Sequence, residues 1–272
     1  MSDRMLIEVR DGIAEAKLNR PEKMNAIDPE MFQGLAQAAD ELAKDPGVRV
    51  VVLSGEGRCF CAGLDMASFA AMADQDRAKG DRSSGLLSRS KVESPANFAQ
   101  RAAWAWQELS VPVIAAIHGV AYGGGLQVAL AADIRIVAPD ARLSVLEIKW
   151  GLIPDMSGTQ TLRHLVRLDV AKELTFSGRV VSGTEAVELG LATRTADDPT
   201  AAALELAREI ASKSPDAIRA GKRLLNQSVQ STLPDGLKRE AQAQAGLIGT
   251  PNQIEAVASN LERREPKFND PK

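Results

Sequence analysis

The sequence predicts an α/β fold in which repeated strand–helix units are followed by a purely helical C-terminal part. Short β-branched apolar runs alternate with helical patterns up to about residue 194. From about Pro199 onwards the pattern is helical throughout. Three consecutive glycines, Gly123–Gly125, stand where a predicted strand turns into a helix. Glycine costs conformational entropy in either element, so a triple glycine there indicates a local need for bare backbone.

Composition bounds the class of protein. A chain of 272 residues with 44% hydrophobic content can bury a full core as one large domain, or one with a small appendage. The net charge of −3 gives no argument for a nucleic-acid partner. We expect Cys59 and Cys61 to be small apolar loop residues, because no further Cys or adjacent His completes a metal site. No apolar leader or membrane-length run is visible, so we expect a cytoplasmic protein without a membrane partner.

The N-terminal elements are a predicted hairpin, a helix and a buried strand. An Asp11-Gly12 turn separates two alternating runs, which is typical of a β-hairpin. Asp28 is the expected N-cap of a helix that has Pro29 in its first turn and ends near Pro46. The predicted strands are Leu6–Arg10, Ile13–Leu18 and Val48–Leu53.

The remainder of the chain continues the alternation and then becomes helical. A buried strand over 112–119 precedes the triple glycine, and a helix over 126–132 follows it. Further strands are predicted at 133–137 and 141–144. Further helices are predicted at 159–166, 170–176, 184–189, 200–212, 215–229, 235–246 and 251–262.

Two buried strands are each followed by a turn of small residues, an arrangement that can expose backbone N–H groups. The loop Gly55–Asp65 follows a buried strand, as the glycines Gly123–Gly125 do. A bare helix N-terminus offers unpaired N–H groups to an anion or a developing oxyanion. Two such turns side by side could hold one carbonyl oxygen from two directions. A tight turn with close helix packing is the alternative interpretation of the glycines.

Four segments in order resemble the crotonase superfamily, the enoyl-CoA hydratase/isomerase family. They are Leu18–Ala26, Cys61–Asp65, Pro112–Gly125 and Gly151–Pro154. The resemblance runs from about residue 5 to 194 and implies a spiral of ββα repeats over 1–194 that carries the CoA and active sites. It implies a helical oligomerisation region over 195–272 that builds a homotrimer or hexamer. The implied substrate is an acyl-CoA thioester, with no metal and no cofactor besides the substrate's own CoA.

The resemblance also assigns site residues. The oxyanion hole would be the backbone N–H groups of Leu64 and Gly124. The segments Met24–Ala26 and 62–66 would border CoA largely through backbone groups. The CoA-bordering residues named on this basis are Met24, Ala26, Ala62, Leu64, Asp65 and Met66. Arg20, Lys23 and Arg58 could meet the CoA phosphates. Residues 66–100 are either a surface loop or a lid over the acyl pocket.

Three residues are the candidates for proton transfer. Gln127 lies one helical turn after Gly124, where the hydratases of the family carry a Glu, and an amide cannot titrate. Glu147 stands at the family's second Glu position, in an apolar stretch that should raise its pKa. Asp155 stands where dienoyl-CoA isomerases carry an Asp; a helix N-cap is its alternative role.

These residues favour an enzyme that shifts a double bond in an enoyl- or dienoyl-CoA, with Glu147 as base. The first alternative is a hydratase, in which Gln127 positions the water that adds to a 2-enoyl-CoA. The second alternative is an acyl-CoA-binding relative that has lost catalysis, and the presence of Glu147 argues against it.

Overall fold

The computed structural model describes residues 3–65, 88 and 94–271. The predicted N-terminal hairpin is present, with its two strands antiparallel and positive φ angles at Asp11 and Gly12. The strands in chain order are β1 (Met5–Arg10), β2 (Ile13–Leu18), β3 (Val50–Gly55), β4 (Val113–Ile117), β5 (Val120–Tyr122), β6 (Ile134–Val137), β7 (Arg142–Ser144), β8 (Val181–Ser182) and β9 (Arg194–Thr195).

Helices surround these strands and fill the C-terminal part. They are α1 (Pro29–Leu42), α2 (Phe98–Glu108), α3 (Gly124–Leu130), α4 (Gly158–Leu165), α5 (Leu168–Ser177), α6 (Gly183–Leu189), α7 (Pro199–Ala211), α8 (Pro215–Ser228), α9 (Leu233–Leu247) and α10 (Pro251–Glu262). Asp28 caps α1 as expected, because its side chain accepts a hydrogen bond from the Met31 N–H.

The strands form two sheets. The larger has the order β1-β2-β3-β4-β6-β9 and is parallel except for the β1–β2 hairpin. The smaller has the order β5-β7-β8. Strands β4 and β5 are consecutive in the chain but belong to different sheets, so the chain changes sheet at the turn around Gly119. This change brings the end of β5 and the start of α3 beside the loop that follows β3.

The structure contains a helix, α2, for which the sequence analysis made no prediction. Its N-terminus is a capping box: Asn97 accepts from the Gln100 N–H and the Gln100 side chain accepts from the Asn97 N–H. The Asn97-to-Gln100 spacing was the available sequence signal. Arg101 of this helix is buried and pairs with Asp40 of α1 and with Glu108.

Two apolar cores pack on the two faces of the large sheet. The larger core contains α1, α2, α3 and the small sheet. The smaller one joins Val50, Val52 and Ile114 of the sheet to α7, through Ala203 and Ala207. Helix α7 therefore forms part of the layer structure of the core. The division into 1–194 and 195–272 stays a prediction.

The last three helices present apolar side chains to solvent. Helix α8 is held to the core by the buried Lys222, whose Nζ lies 2.7 Å from an Asp133 carboxylate oxygen and 2.9 Å from the Val111 carbonyl oxygen. The exposed apolar residues of this region are Leu225, Val229, Leu233, Leu237, Ile248, Ile254, Val257 and Leu261. Among the helices of the described ranges, none is long and apolar enough to cross a bilayer.

Candidate functional site

The triple glycine opens helix α3, which begins at Gly124, two residues earlier than expected. Gly123 has φ of 50°, a conformation that favours glycine, and its N–H donates to the Ser144 carbonyl. The Gly123 carbonyl accepts the first helical hydrogen bond, from the Gln127 N–H. Because a trans peptide directs its C=O and N–H oppositely, the Gly124 N–H points out of the helix N-terminus. That N–H donates to no other residue in the described part of the chain.

The third glycine allows the helix to touch the neighbouring loop. A Cβ placed on Gly125 would lie 2.6 Å from the Cys61 carbonyl oxygen and 2.7 Å from its sulfur. Cys61 in turn pairs with β5, donating its N–H to the Val120 carbonyl and accepting from the Tyr122 N–H. The close packing that was considered as an alternative is therefore present, together with the open N–H of Gly124.

The loop after β3 brings a second N–H to this junction. A Cβ on Gly63 would lie 2.7 Å from the Tyr122 carbonyl oxygen and 3.8 Å from the Gly124 nitrogen. The Gly63 carbonyl accepts from the Ile27 N–H over 2.7 Å. By the same trans-peptide geometry, the Leu64 N–H points away from Ile27. It donates to no other described residue, so both predicted oxyanion donors are unpaired within the described part of the chain, and Gly63, which precedes Leu64, lies beside Gly124.

The predicted CoA-bordering segments lie side by side as a short two-stranded strip. Ile27 and Leu64 form a parallel bridge, and the Ala62 N–H donates to the Met24 carbonyl over 2.9 Å. Alternate residues are buried: Asn25 and Ile27 on one segment, Cys61 and Gly63 on the other. The other residues of the two segments are partly exposed: Met24, Ala26, Ala62, Leu64 and Asp65. Met66 lies outside the described residues, as does most of the segment 66–100 that was considered as a surface loop or a lid.

Asn25, which the sequence analysis did not single out, ties this strip to the preceding loop. Its side chain is fully buried, and its carbonyl oxygen accepts from the Arg20 N–H. Its amide nitrogen lies 2.9 Å from the carbonyl oxygens of Glu56 and Cys59 and 3.1 Å from that of Phe60. The only sequence signal was a polar residue inside the family motif.

The side chains of Gln127 and Glu147 are hydrogen-bonded to each other next to Gly123. The Gln127 Oε1 accepts from the Met156 and Gly158 N–H groups, both over 2.8 Å. These two backbone donors fix the orientation of the amide, so that Nε2 donates to the Glu147 Oε1 over 2.5 Å. Glu147 opens a 3₁₀ turn, Glu147–Trp150, and a Cβ on Gly123 would lie 3.4 Å from the same Oε1.

The environment of Glu147 raises the pKa of its carboxyl group above the ordinary value. Burial raises the pKa of its carboxyl group, the hydrogen bond from Gln127 lowers it, and the charge of Asp155 raises it further. The second carboxylate oxygen, Oε2, is buried and has no hydrogen-bond partner among the described residues. A buried, unpaired carboxylate oxygen is costly for folding and is free to accept a proton.

Asp155 lies at the mouth of a cavity beside the predicted oxyanion hole. The cavity measures about 80 Å³ and is lined by Phe32, Leu64, Ala99, Leu152, Ile153, Asp155 and Met156. The Asp155 side chain reaches the surface, yet its apolar neighbours desolvate it and raise its pKa. The alternative role as a helix N-cap is wrong, because α4 begins at Gly158 and has Ser157 as its capping residue.

The remaining candidates are the two cysteines and the three basic residues that could meet the CoA phosphates. The thiols of Cys59 and Cys61 face the carbonyls of Met24 and Asn25, and the described residues contain no cluster that could bind a metal. Lys23 and Arg58 are exposed. Arg20 faces inward, which leaves its guanidinium unsuited to the CoA phosphates.

The sequence matches one family model and proteins that carry enoyl-CoA hydratase names. Residues 8–271 match the sequence model of the enoyl-CoA hydratase/isomerase family. The chain is 35% identical to the mitochondrial methylglutaconyl-CoA hydratase of Mus musculus, over 97% of this chain and 82% of that protein. It is 34% identical to the mouse mitochondrial enoyl-CoA hydratase domain-containing protein 2, over 94% of this chain and 84% of that protein.

Solved structures agree in fold along the whole chain. The enoyl-CoA hydratase of Bacillus anthracis superposes with a TM-score of 0.87 at 31% identity, covering 98% of this chain and 100% of that one. The enoyl-CoA hydratase of Mycobacterium tuberculosis H37Rv gives a TM-score of 0.84 at 29% identity, covering 99% and 100%. The predicted crotonase-like α/β fold with C-terminal helices is confirmed. The chain belongs to the enoyl-CoA hydratase/isomerase family of the crotonase superfamily.

Proposed function

We propose that this enzyme shifts a carbon–carbon double bond in an acyl-CoA thioester, with Glu147 as its base. The observation that carries the proposal is the locked amide of Gln127, whose oxygen accepts two backbone N–H groups and whose nitrogen faces Glu147. An amide neither takes up nor releases a proton at neutral pH. Glu147, the hydrogen-bond partner of this amide, is therefore the member of the pair that can transfer protons.

The substrate's CoA moiety would lie along the partly exposed strip of Met24, Ala26, Ala62, Leu64 and Asp65. Its thioester oxygen would accept from the Leu64 and Gly124 N–H groups, which are unpaired within the described part of the chain. Fixed donors at the position where negative charge develops stabilise an enolate and lower the pKa of the neighbouring C–H group. No cofactor or metal takes part, because CoA arrives as part of the substrate.

One carboxylate is enough for the simplest double-bond shift. Glu147 removes a proton from the second carbon of a 3-enoyl-CoA, and the negative charge spreads onto the thioester oxygen. The double bond moves to the second and third carbons when Glu147 returns the same proton to the fourth carbon. Proton and electrons balance without water, and the unpaired Oε2 of Glu147 is the atom available for this transfer.

Asp155 extends the proposal to conjugated substrates. Its charge raises the pKa of Glu147, and it lines the cavity next to Leu64. In a 3,5-dienoyl-CoA, Glu147 takes a proton from the second carbon while a protonated Asp155, which lines the cavity, gives its own proton to the sixth carbon, so that the double bonds move to positions 2 and 4. Proton exchange with solvent then restores both carboxyl groups.

Hydration of a 2-enoyl-CoA is the second candidate function. Two observations favour it: the relatives described above are named hydratases, and the second N–H of the Gln127 amide could hold a water molecule. Glu147 would then both deprotonate that water and supply the proton to the second carbon.

We also infer a homotrimer or hexamer, because α8, α9 and α10 leave many apolar side chains exposed.

Spectrophotometry of the wild type and of Glu147→Gln tests the proposal. With a 3-enoyl-CoA, the wild type should raise the ultraviolet absorbance of the conjugated enoyl thioester. Glu147→Gln should lose at least about 100-fold in kcat and still bind substrate, because general base catalysis contributes that much. Glu205→Gln, at an exposed position on α7, is the matched control and should keep full activity. Unchanged activity of Glu147→Gln would refute the assignment of the base.

A further inference from the structure

We propose that Arg20 is a positioning residue that aims the Leu64 N–H into the oxyanion hole. The inference rests on the proposed function, in which that N–H contacts the thioester oxygen. Arg20 lies outside the set of residues that could touch the acyl group, because its side chain is directed into the protein with 11% of its surface exposed. Its effect would pass through neighbouring peptide groups.

One guanidinium nitrogen holds both segments of the strip. The Arg20 Nη1 donates to the Asp65 Oδ2 over 2.7 Å and to the Ala26 carbonyl oxygen over 3.1 Å. The Nε lies 3.4 Å from the carboxylate of Asp28, the N-cap of α1. Arg20 therefore connects Ala26 of one segment, Asp65 of the other, and Asp28 at the start of α1.

Two planar peptides transmit this contact to Leu64. Arg20 holds the Ala26 carbonyl, so the N–H of the same peptide, that of Ile27, points the opposite way and donates to the Gly63 carbonyl over 2.7 Å. The Gly63 carbonyl belongs to the peptide whose N–H is that of Leu64. Fixing this carbonyl fixes the direction of the Leu64 N–H, because rotation of either plane would break a hydrogen bond.

The residue after Leu64 is held as well. The Asp65 N–H donates to the Ile27 carbonyl over 2.9 Å, and the Asp65 carboxylate pairs with Arg20. The peptide groups before and after Leu64 are thus both hydrogen-bonded to Ile27. The guanidinium of Arg20 in turn holds the carbonyl that precedes Ile27 and the side chain of Asp65. Asp65, predicted to border CoA, borders it through its backbone in this arrangement, with its side chain turned toward Arg20.

The test separates aiming of the N–H from general stability. Arg20→Met removes the guanidinium and keeps most of the apolar stem, and Asp65→Asn removes one ion pair at constant volume. Arg101→Met is the matched control, because Arg101 is also buried and paired with two carboxylates, in α2 and far along the chain from the strip. Each variant is measured for kcat, KM and melting temperature in the full-length enzyme.

A spectroscopic readout reports the oxyanion hole directly. Each variant is also made in the Glu147→Gln background and saturated with hexa-2,4-dienoyl-CoA, whose absorption shifts to longer wavelength when its carbonyl is polarised. Arg20→Met should reduce this red shift by about half or more and lower kcat by roughly 10-fold or more, since a whole oxyanion donor is worth 10²–10³. KM should change by less than about 3-fold, since the loss is in the transition state.

The expected order of effects is specific. Asp65→Asn should have a smaller effect than Arg20→Met, because the contact of Arg20 with the Ala26 carbonyl remains. Arg101→Met should lower the melting temperature without changing the red shift. An unchanged red shift and kcat in Arg20→Met would overturn the proposal. If that variant does not fold, an unchanged red shift in both Asp65→Asn and Arg20→Lys would overturn it equally. Turnover of the probe by Glu147→Gln would instead contradict the proposed function.

Discussion

Replacing the amide of Gln127 by a carboxylate changes the chemistry of the site with almost no change in volume. In the wild type the Gln127 nitrogen lies 2.5 Å from the Glu147 Oε1, and the Gln127 oxygen accepts from the Met156 and Gly158 N–H groups. In Gln127→Glu both backbone donors keep an acceptor. The donor toward Glu147 is lost, and two carboxyl oxygens face each other across a hydrogen-bond distance.

The size of the effect follows from the distance. Two carboxylates with charge centres about 4 Å apart repel by about 4 kcal/mol at an effective dielectric constant of about 20. This energy separates their two ionisation steps by a factor of about 1,000 in proton affinity. Near neutral pH the pair should therefore hold one proton and one negative charge, as coupled carboxyl dyads do. That state offers one acid and one base.

The assay is hydration of a 2-enoyl-CoA, followed as loss of the enoyl absorbance across the pH range. Gln127→Glu should hydrate at least about 10-fold faster than the wild type, since a positioned acid or base contributes 10²–10⁴. Its pH profile should become bell-shaped, because only the singly protonated pair is active. A folded variant with an unchanged hydration rate and an unchanged pH profile would refute the reasoning that the locked amide limits the site to one base.

Three further predictions follow from the described contacts. Asp155→Asn removes a charge that raises the pKa of Glu147, so the acid limb of kcat/KM should move to lower pH than in the wild type. Glu147→Gln should stabilise the folded enzyme by roughly 1 kcal/mol at pH 8 in denaturant titrations, since a raised folded-state pKa makes the ionised form destabilising. That gain should vanish below about pH 3.5, where the carboxyl group is protonated in both states. Gly125→Ala should cost about 2 kcal/mol and most of kcat, because its Cβ would meet the Cys61 carbonyl at 2.6 Å. Gly246→Ala, which meets nothing within 4 Å on α9, should stabilise slightly.

Local patterns predicted most of the fold because they are set by neighbours in sequence. The Asp11-Gly12 turn, the Asp28 cap and the buried strands all follow from period, turn chemistry and capping. Helix α2 went unpredicted although its Asn97–Gln100 capping box was visible. The start of α3 at Gly124 was also misplaced, because glycine has a low helix propensity; the close approach of Gly125 to Cys61 explains why a glycine is needed in this first turn.

The sequence suggested candidate site residues but not the contacts that connect them. The sequence indicated Leu64, Gly124 and Glu147, whereas their mutual arrangement depends on side chains from distant segments. Gln127 bonds Glu147 and the Met156 and Gly158 backbone, which lie 20 or more residues away in the sequence. Asn25 and Arg20 likewise bond residues of the loop and strip that are distant in the sequence. Charge alone suggested that Arg20 could meet the CoA phosphates, whereas its guanidinium is paired with the carboxylates of Asp65 and Asp28.

The most direct test of the one-base account is a parallel rate measurement on the purified wild type. A 3-enoyl-CoA and a 2-enoyl-CoA of the same chain length are incubated separately, and their absorbance changes are compared under identical conditions. The account predicts a rapid absorbance rise with the 3-enoyl-CoA and slow loss with the 2-enoyl-CoA. Rapid loss with the 2-enoyl-CoA and no reaction of the 3-enoyl-CoA would contradict it and would favour hydration as the function.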